Sequence, residues 1–194
     1  MVNKTKLSLK TARNRYVFTA VFAAMIAVSG FIIIPLPGSP VPLVFKNLFV
    51  VLAGTILGSY YGAVSLSIFI IAGIIGVPVF VVPGLAAFST PLGGYIIGYF
   101  FASLIAGLIC GLPKTSEKKI KAFFLFRLII ASLAGFLIII SCGVFFLMRL
   151  NSMSFIAAFS AGALPYLLGD FIKLAISIPL ALKLRPIVAR YINE

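Results

Sequence analysis

Long apolar runs separated by short polar or proline-rich breaks set the pattern of this chain. The six runs cover about 16–34, 43–57, 63–77, 93–112, 123–148 and 161–182. Runs of this length and apolarity are typical of buried or lipid-facing helices. The breaks between them are a proline-rich loop at 35–42, a turn at 58–62, a basic loop at 114–121 and a more polar connection at 149–160. The pattern therefore predicts six helices with short connections.

The break between the third and fourth runs is unusual because it is apolar and rich in proline. It reads PVFVVPGLAAFSTPL over 78–92. Non-helical backbone with this apolar character is tolerated inside a membrane only where protein surrounds it or where it lines a cavity. We therefore expect this segment to be irregular and to lie against a cavity.

Composition identifies the medium in which these helices lie. Hydrophobic residues make up 62% of the 194 residues and charged residues 10%. A soluble domain of this length has too much surface to hide so large an apolar share. The predicted fold class is an all-α membrane protein, a single bundle of six transmembrane helices.

The distribution of Lys and Arg predicts the orientation of the bundle. If six helices span the membrane, both termini share a side with the 114–121 loop. That side holds the five basic residues of 1–15, four in 114–121, Arg127 and three after the last apolar run (Lys183, Arg185 and Arg190), whereas the other side holds only Arg149. Basic residues concentrate on the cytoplasmic side of a membrane. The sequence thus predicts a multi-pass protein of the cell membrane with a basic cytoplasmic N-terminus (1–15), a six-helix transmembrane domain (16–185) and a cytoplasmic tail (186–194).

Several kinds of chemistry are excluded by missing residue types. The chain has no His, and its carboxylates are Asp170, Glu117 in a lysine run and the terminal Glu194. A His base, a paired-carboxylate site and a metal cage therefore lack their ligands. No phosphate-binding loop of the G-x-x-x-x-G-K-[ST] type is present, so the chain has no means of hydrolysing ATP through one. We expect no enzyme activity and no cofactor.

Three charged residues fall within the apolar runs and form the candidate site. They are Lys46, Asp170 and Lys173. Each charge costs about 2.5–3.5 kcal/mol at the centre of a membrane helix, so such residues point to function. Asp170 and Lys173 are three residues apart and share a helix face. With Asp170 about nine residues into the sixth run, all three charges are expected in the outer half of the bundle.

The predicted pocket has a formal charge of +1 and suits a small monoanion. A lysine would hold a carboxylate, while Asp170 would accept N–H donors from the rest of the ligand. Asn47 and Tyr95 would add hydrogen bonds, and Phe80 and Phe88 apolar walls. The alternative is a neutral Asp170–Lys173 pair with Lys46 extended to the outer surface.

Small residues recur at four-residue spacing and allow helices to approach closely. The pattern includes Gly54, Gly58, Gly62 and the pair Ala20 and Ala24 in the first run. One interpretation is packing inside the bundle. The other is that the first helix presents its small face to a second membrane subunit.

Five segments together resemble a known family. They are PVPLVFKN at 40–47, LAGTILGSYYGAVS at 52–65, GVPVF at 76–80, PLGGY at 91–95 and LGDFIKLA at 168–175. In their order and spacing they resemble the biotin-specific S-components (BioY) of energy-coupling factor (ECF) transporters. The resemblance covers about 16–185. It implies capture of biotin on the outer side and delivery inward with a transmembrane T-component and two ABC-type ATPases. It also implies vitamin-binding roles for Asp170 and Lys173 and docking of the T-component at Ala20 and Ala24.

Two features differ from the family pattern and keep other ligands open. The family usually has Gln where Lys46 stands, and its glycine-rich stretch before the GGY motif is shorter here, with one glycine in VVPGLAAFST. A related carboxylate, such as a biotin precursor or lipoate, therefore remains an alternative ligand. A stand-alone secondary carrier is a second alternative function.

Overall fold

The structure is a helical bundle, described by a computed structural model over residues 2–31, 33–34, 43–114 and 122–193. Its α-helices are α1 (Val2–Ser29), α2 (Lys46–Leu57), α3 (Ser59–Ile74), α4 (Gly93–Cys110), α5 (Ala122–Leu150), α6 (Phe155–Gly162) and α7 (Leu167–Asn193). Two short 3₁₀-helices cover Gly84–Ser89 and Leu164–Tyr166. The strands β1 (Ile33–Ile34) and β2 (Leu43–Val44) form one antiparallel pair.

Helix α2 lies at the centre of the bundle. It contacts α1, α3, α4, α5 and α7. Eleven of its 12 residues are buried. A helix that is apolar all round belongs in such a position, because every face has to be covered. Polar groups can therefore approach the central helix only at its two ends.

Each of the six apolar runs contains all or part of an α-helix. The predicted number of six helices is nevertheless not confirmed. The described residues hold seven α-helices, because the connection predicted at 149–160 contains most of α6. Ser154 caps this helix, since its side chain accepts a hydrogen bond from the Ala157 amide. An eight-residue helix is too short for its apolar period to stand out from a neighbouring run.

The last long helix begins later than its apolar run. Residues 161–166 end α6 and form the second 3₁₀-helix, which includes Pro165. Asp170 therefore lies in the first turn of α7, not nine residues into a helix as predicted. This position is favourable for a carboxylate, because the amide end of a helix carries a partial positive charge.

The turn predicted at 58–62 is a single residue. Gly58 alone separates α2 from α3, with a φ of 83°. A left-handed conformation of this kind strains any residue that has a Cβ. Since α3 starts at Ser59, the two helices form one tight hairpin.

Glycine spacing inside the bundle reflects close helix packing, as the first interpretation predicted. A Cβ at Gly54 would overlap the backbone of Ser103 in α4, and one at Gly94 would lie 2.6 Å from the Cys142 carbonyl oxygen in α5. Ala20 and Ala24, by contrast, are exposed on α1. The glycines thus allow close packing inside the bundle, whereas Ala20 and Ala24 remain exposed on its surface.

The apolar segment after α3 is irregular and lies against the bundle, as predicted. Apart from its 3₁₀-helix it forms turns and bends, and Val79, Phe80 and Ala87 within it are buried. The predicted loop at 35–42 and all but the first residue of the predicted loop at 114–121, including Glu117, lie outside the described residues.

The surface of the bundle is apolar enough for a lipid environment. Helices α4 and α5 are each long and apolar enough to cross a membrane, and α2 and α3 are shorter apolar helices. Large side chains such as Phe123, Ile156 and Leu168 are each at least 75% exposed. Contiguous exposed apolar surface of this kind is rare on soluble monomers.

Candidate functional site

Lys46 begins α2 and turns its ammonium into the protein. The residue is 7% exposed. Its Nζ donates a hydrogen bond of 2.9 Å to the Val79 carbonyl and lies 4.8 Å from the centre of the Phe69 ring. A Cβ at Gly30 would lie 2.7 Å from Nζ, so the end of α1 also closes over this cation. Lys46 therefore does not extend to the outer surface, which was the alternative interpretation.

A small cavity of about 30 Å³ lies beside the Lys46 side chain. Its walls come from the end of α1, the start of α2, the irregular segment after α3 and the first turns of α4. The lining residues are Gly30, Lys46, Phe80, Val81, Val82, Ala87, Thr90, Leu92, Ile96 and Tyr99. A mostly apolar wall with one cation and a few hydroxyl groups is typical of a site for a small organic anion.

Aromatic rings extend from the ammonium group along one wall. The Phe69 and Phe80 rings meet edge to face at 5.4 Å, and the Phe80 and Phe88 rings do so at 6.2 Å. Edge-to-face pairs hold one another in fixed orientations. Two of the predicted apolar residues, Phe80 and Phe88, are thus joined to Lys46 through Phe69.

Asp170 and Lys173 form a buried ion pair at the start of α7. Lys173 Nζ lies 2.8 Å from Asp170 Oδ1, and both residues are buried. The two side chains lie one helical turn apart, as their spacing predicted. A second small cavity, of about 70 Å³, opens beside Asp170 between α5 and α7.

Two tyrosines of α4 lie between the ion pair and the interior. The Tyr95 hydroxyl donates a hydrogen bond of 2.6 Å to the Gly162 carbonyl, and its ring fills the space that a Cβ at Gly143 would occupy. Tyr99, one turn further on, lines the Lys46 cavity.

Asn47 is buried and its side-chain oxygen lacks a hydrogen-bond partner among the described residues. It is 9% exposed, and Oδ1 is the atom without a partner. An unsatisfied buried polar atom costs about 1–3 kcal/mol. Asn47 does not line the cavity of its neighbour Lys46.

The predicted ligand residues thus fall into two groups. Lys46 and Phe80 line the cavity and Phe88 packs on Phe80, whereas Asp170, Lys173 and Tyr95 belong to the ion-pair region. Tyr99 was missed by the sequence analysis. The signal was present, because Tyr99 follows Tyr95 by four residues and shares its helix face.

An apolar groove runs along α1 at the predicted docking position. It measures about 380 Å³ and is lined by Val21, Ala24, Met25, Val28, Ser29 and Phe49. Ala20, one turn before Ala24, is also exposed. The groove has no charged lining residue, so it suits an apolar helix.

Comparison with known proteins gives the same result at three levels. The model of the BioY family matches residues 3–190. A probable biotin transporter BioY of Pyrococcus horikoshii is 35% identical over 86% of this chain and 93% of its own length. The biotin transporter BioY of Thermotoga maritima is 32% identical over 85% of this chain and 92% of its own length.

A solved structure matches the whole architecture. It is described as the S-component for biotin from an ECF-type ABC transporter, and it superposes with a TM-score of 0.79 at 26% identity. The match covers 95% of this chain and 94% of the other. Since these relatives are transport proteins of the membrane, this chain is an integral membrane protein, and the prediction that it is not an enzyme is confirmed. The family model and the relatives together show that this chain belongs to the BioY family.

Proposed function

We propose that this protein is the biotin-binding S-component of an ECF-type importer. The observation that carries the proposal is the match to the S-component for biotin over nearly the whole chain, with a cation-lined cavity at the start of its central helix. In this function the protein captures biotin from outside and releases it inward. It performs no chemistry on the vitamin.

The charges divide recognition of biotin between its two ends. Biotin has a carboxylate on an aliphatic chain and a ureido ring with two N–H donors. Lys46 holds the carboxylate, because its ammonium lies beside the cavity and within the described residues makes one hydrogen bond, to Val79. Charge-assisted hydrogen bonds of this kind are short and strong.

The ureido ring belongs near the ion pair. Asp170 accepts its N–H groups, and Lys173, which is paired with that carboxylate, offers donors to the ureido oxygen. The unpartnered oxygen of Asn47 is a further acceptor for which a ligand N–H would remove the cost of burial. Tyr95 and Tyr99 position these groups, and Phe80 and Phe88 cover the aliphatic chain.

Energy has to come from partner subunits. The sequence contains no phosphate-binding loop, so transport needs the T-component and two ABC-type ATPases. The T-component docks on α1 at Ala20 and Ala24, where the apolar groove accepts a helix.

Six of the seven helices span the cell membrane in this proposal. They are α1, α2, α3, α4, α5 and α7, whereas α6 lies at the outer end. Both termini are then cytoplasmic, with 1–15 and 186–194 flanking a transmembrane domain of 16–185. The basic residues of the 114–121 loop and both termini support this orientation.

Replacing Asp170 should weaken ligand binding even in a variant that keeps its stability. Asp170→Asn leaves the buried Lys173 cation unbalanced, which should lower the free energy of unfolding by about 3 kcal/mol. The double variant Asp170→Asn, Lys173→Met removes both charges and should recover much of that stability. Isothermal titration should nevertheless show that it binds biotin at least about tenfold more weakly than the parent protein.

Wild-type affinity in the double variant would contradict the role of the ion pair. If lipoate or a biotin precursor displaces bound biotin at a lower concentration than biotin itself does, that compound is the ligand. Biotin uptake into vesicles that contain this chain without ATPases would indicate a secondary carrier. Arg149→Gln, which changes an exposed cation, is the matched control.

Lys46→Met should abolish the preference for a free carboxylate. The unaltered protein should bind biotin at least about tenfold more tightly than biotin methyl ester, because only the acid pairs with the ammonium. In Lys46→Met the two affinities should converge, whereas in Lys183→Gln, an exposed change, the ratio should persist. A ratio unaffected by Lys46→Met would mean that the carboxylate lies elsewhere.

Ala24→Trp should weaken assembly without changing biotin binding. The large ring fills the α1 groove, so less T-component should co-purify with the protein. Leu168→Trp places the same ring on α7, at a residue that is 75% exposed and far along the chain from the groove. Equal co-purification with both variants would contradict docking at α1.

Single cysteines should report the orientation of the bundle. In a background with Cys110→Ala and Cys142→Ala, a membrane-impermeant maleimide should label Asn151→Cys in intact cells and Lys114→Cys only after permeabilisation. Both positions are exposed. The reverse pattern would place the termini outside.

A further inference from the structure

Arg185 is a buried cation of α7 that lies far from the proposed ligand site. It is 0% exposed. It follows Lys173 by 12 residues, which places it about 18 Å further along the helix. From the sequence it counted only as one of three basic residues that follow the last apolar run.

The Arg185 guanidinium reaches the ends of two other helices. One nitrogen, Nη1, donates to the Thr55 carbonyl in the last turn of α2. The other, Nη2, lies 3.4, 3.2 and 3.3 Å from the carbonyl oxygens of Cys110, Gly111 and Leu112, at the end of α4. The group also lies 5.3 Å from the centre of the Phe124 ring in α5.

Helix ends explain why arginine suits this position. The last four carbonyls of a helix lack partners within it and carry a partial negative charge. A guanidinium group presents five N–H donors in a fixed plane and loses less hydration than an ammonium when it is buried. One arginine can therefore bond to two helix ends at once, which a lysine does less well.

The helices that Arg185 connects are those that carry the proposed ligand residues. Lys46 is on α2, Tyr99 is on α4, and the Asp170–Lys173 pair is on α7. Two other arginines hydrogen-bond to helix-end carbonyls, but within the described residues each reaches a single helix: Arg127 bonds to Ile109 and Arg15 to Ile192. Arg185 thus holds the ends of α2 and α4 at a fixed position along the axis of α7.

We propose that Arg185 is a positioning residue for the ligand site at the opposite end of the bundle. By fixing the depth of the three helices, it fixes the spacing between the Lys46 cavity and the Asp170–Lys173 pair. This inference rests on the proposed function for the identity of the ligand. Helix depth itself can be measured without a ligand.

The test compares Arg185→Gln and Arg185→Lys with Lys183→Gln, an exposed change two residues earlier. Biotin affinity is measured by isothermal titration well below the unfolding temperature of each variant. Arg185→Gln should bind at least tenfold more weakly, Arg185→Lys should recover part of the loss, and Lys183→Gln should match the parent protein. If Arg185→Gln does not fold, the comparison of Arg185→Lys with the parent decides the question, with weaker binding expected.

Hydrogen exchange of the ligand-free protein provides the second measurement. The amides of Gly58 and Gly111 close the ends of α2 and α4 on the Gly54 and Gly107 carbonyls. Arg185→Gln should speed their exchange, and it should also speed exchange at 46–50, at the far end of α2.

Two results would overturn the inference. One is an Arg185 variant that unfolds at a lower temperature but keeps its biotin affinity within twofold. The other is faster exchange confined to the inner helix ends, with 46–50 unchanged. If the parent protein binds no biotin, the proposed function fails, and the exchange at 46–50 alone decides whether Arg185 acts on the outer end.

Discussion

The burial of α2 is the constraint on which this structure depends. A helix surrounded on all sides can satisfy its inner backbone groups by itself, but the groups at its two ends need partners from other elements. At the last turn of α2, Arg185 donates to the Thr55 carbonyl, and at its start the Lys46 side chain donates to the Val79 carbonyl and so ties the irregular segment to the helix. Two of the buried charges, Lys46 and Arg185, are thus placed where the central helix begins and ends.

Each buried charge is compensated in a different way, which separates the roles of these residues. Asp170 and Lys173 balance one another, so their pair is neutral. Arg185 is surrounded by helix-end carbonyls, which bear only partial charges. Lys46 has one carbonyl and an aromatic ring, a weaker setting for a cation. Of the buried cations Lys46, Lys173 and Arg185, Lys46 would be stabilised most by a bound anion.

Periodicity and charge were enough to predict where helices lie along the chain and that Lys46, Asp170 and Lys173 lie inside the bundle. Both depend on local sequence, since apolar runs mark helices and the cost of burial marks charged residues within them. The predicted start of α7 was wrong because α6 and a 3₁₀-helix divide one apolar stretch. Arg185 was missed because its importance depends on which helix ends it meets. Such contacts arise from tertiary packing, which a single sequence does not encode locally.

The length of α2 has a consequence for transport. Its 12 residues rise about 18 Å, whereas the hydrocarbon layer of a membrane is about 30 Å thick. About 12 Å of the bundle axis is therefore filled by something other than the central helix. The irregular segment with Val79 lies over one end, and the carbonyl groups gathered by Arg185 lie at the other. If the ligand binds at the start of α2, as proposed, the path that remains to the other end of the bundle is about the 18 Å length of the central helix, which is shorter than the hydrocarbon layer.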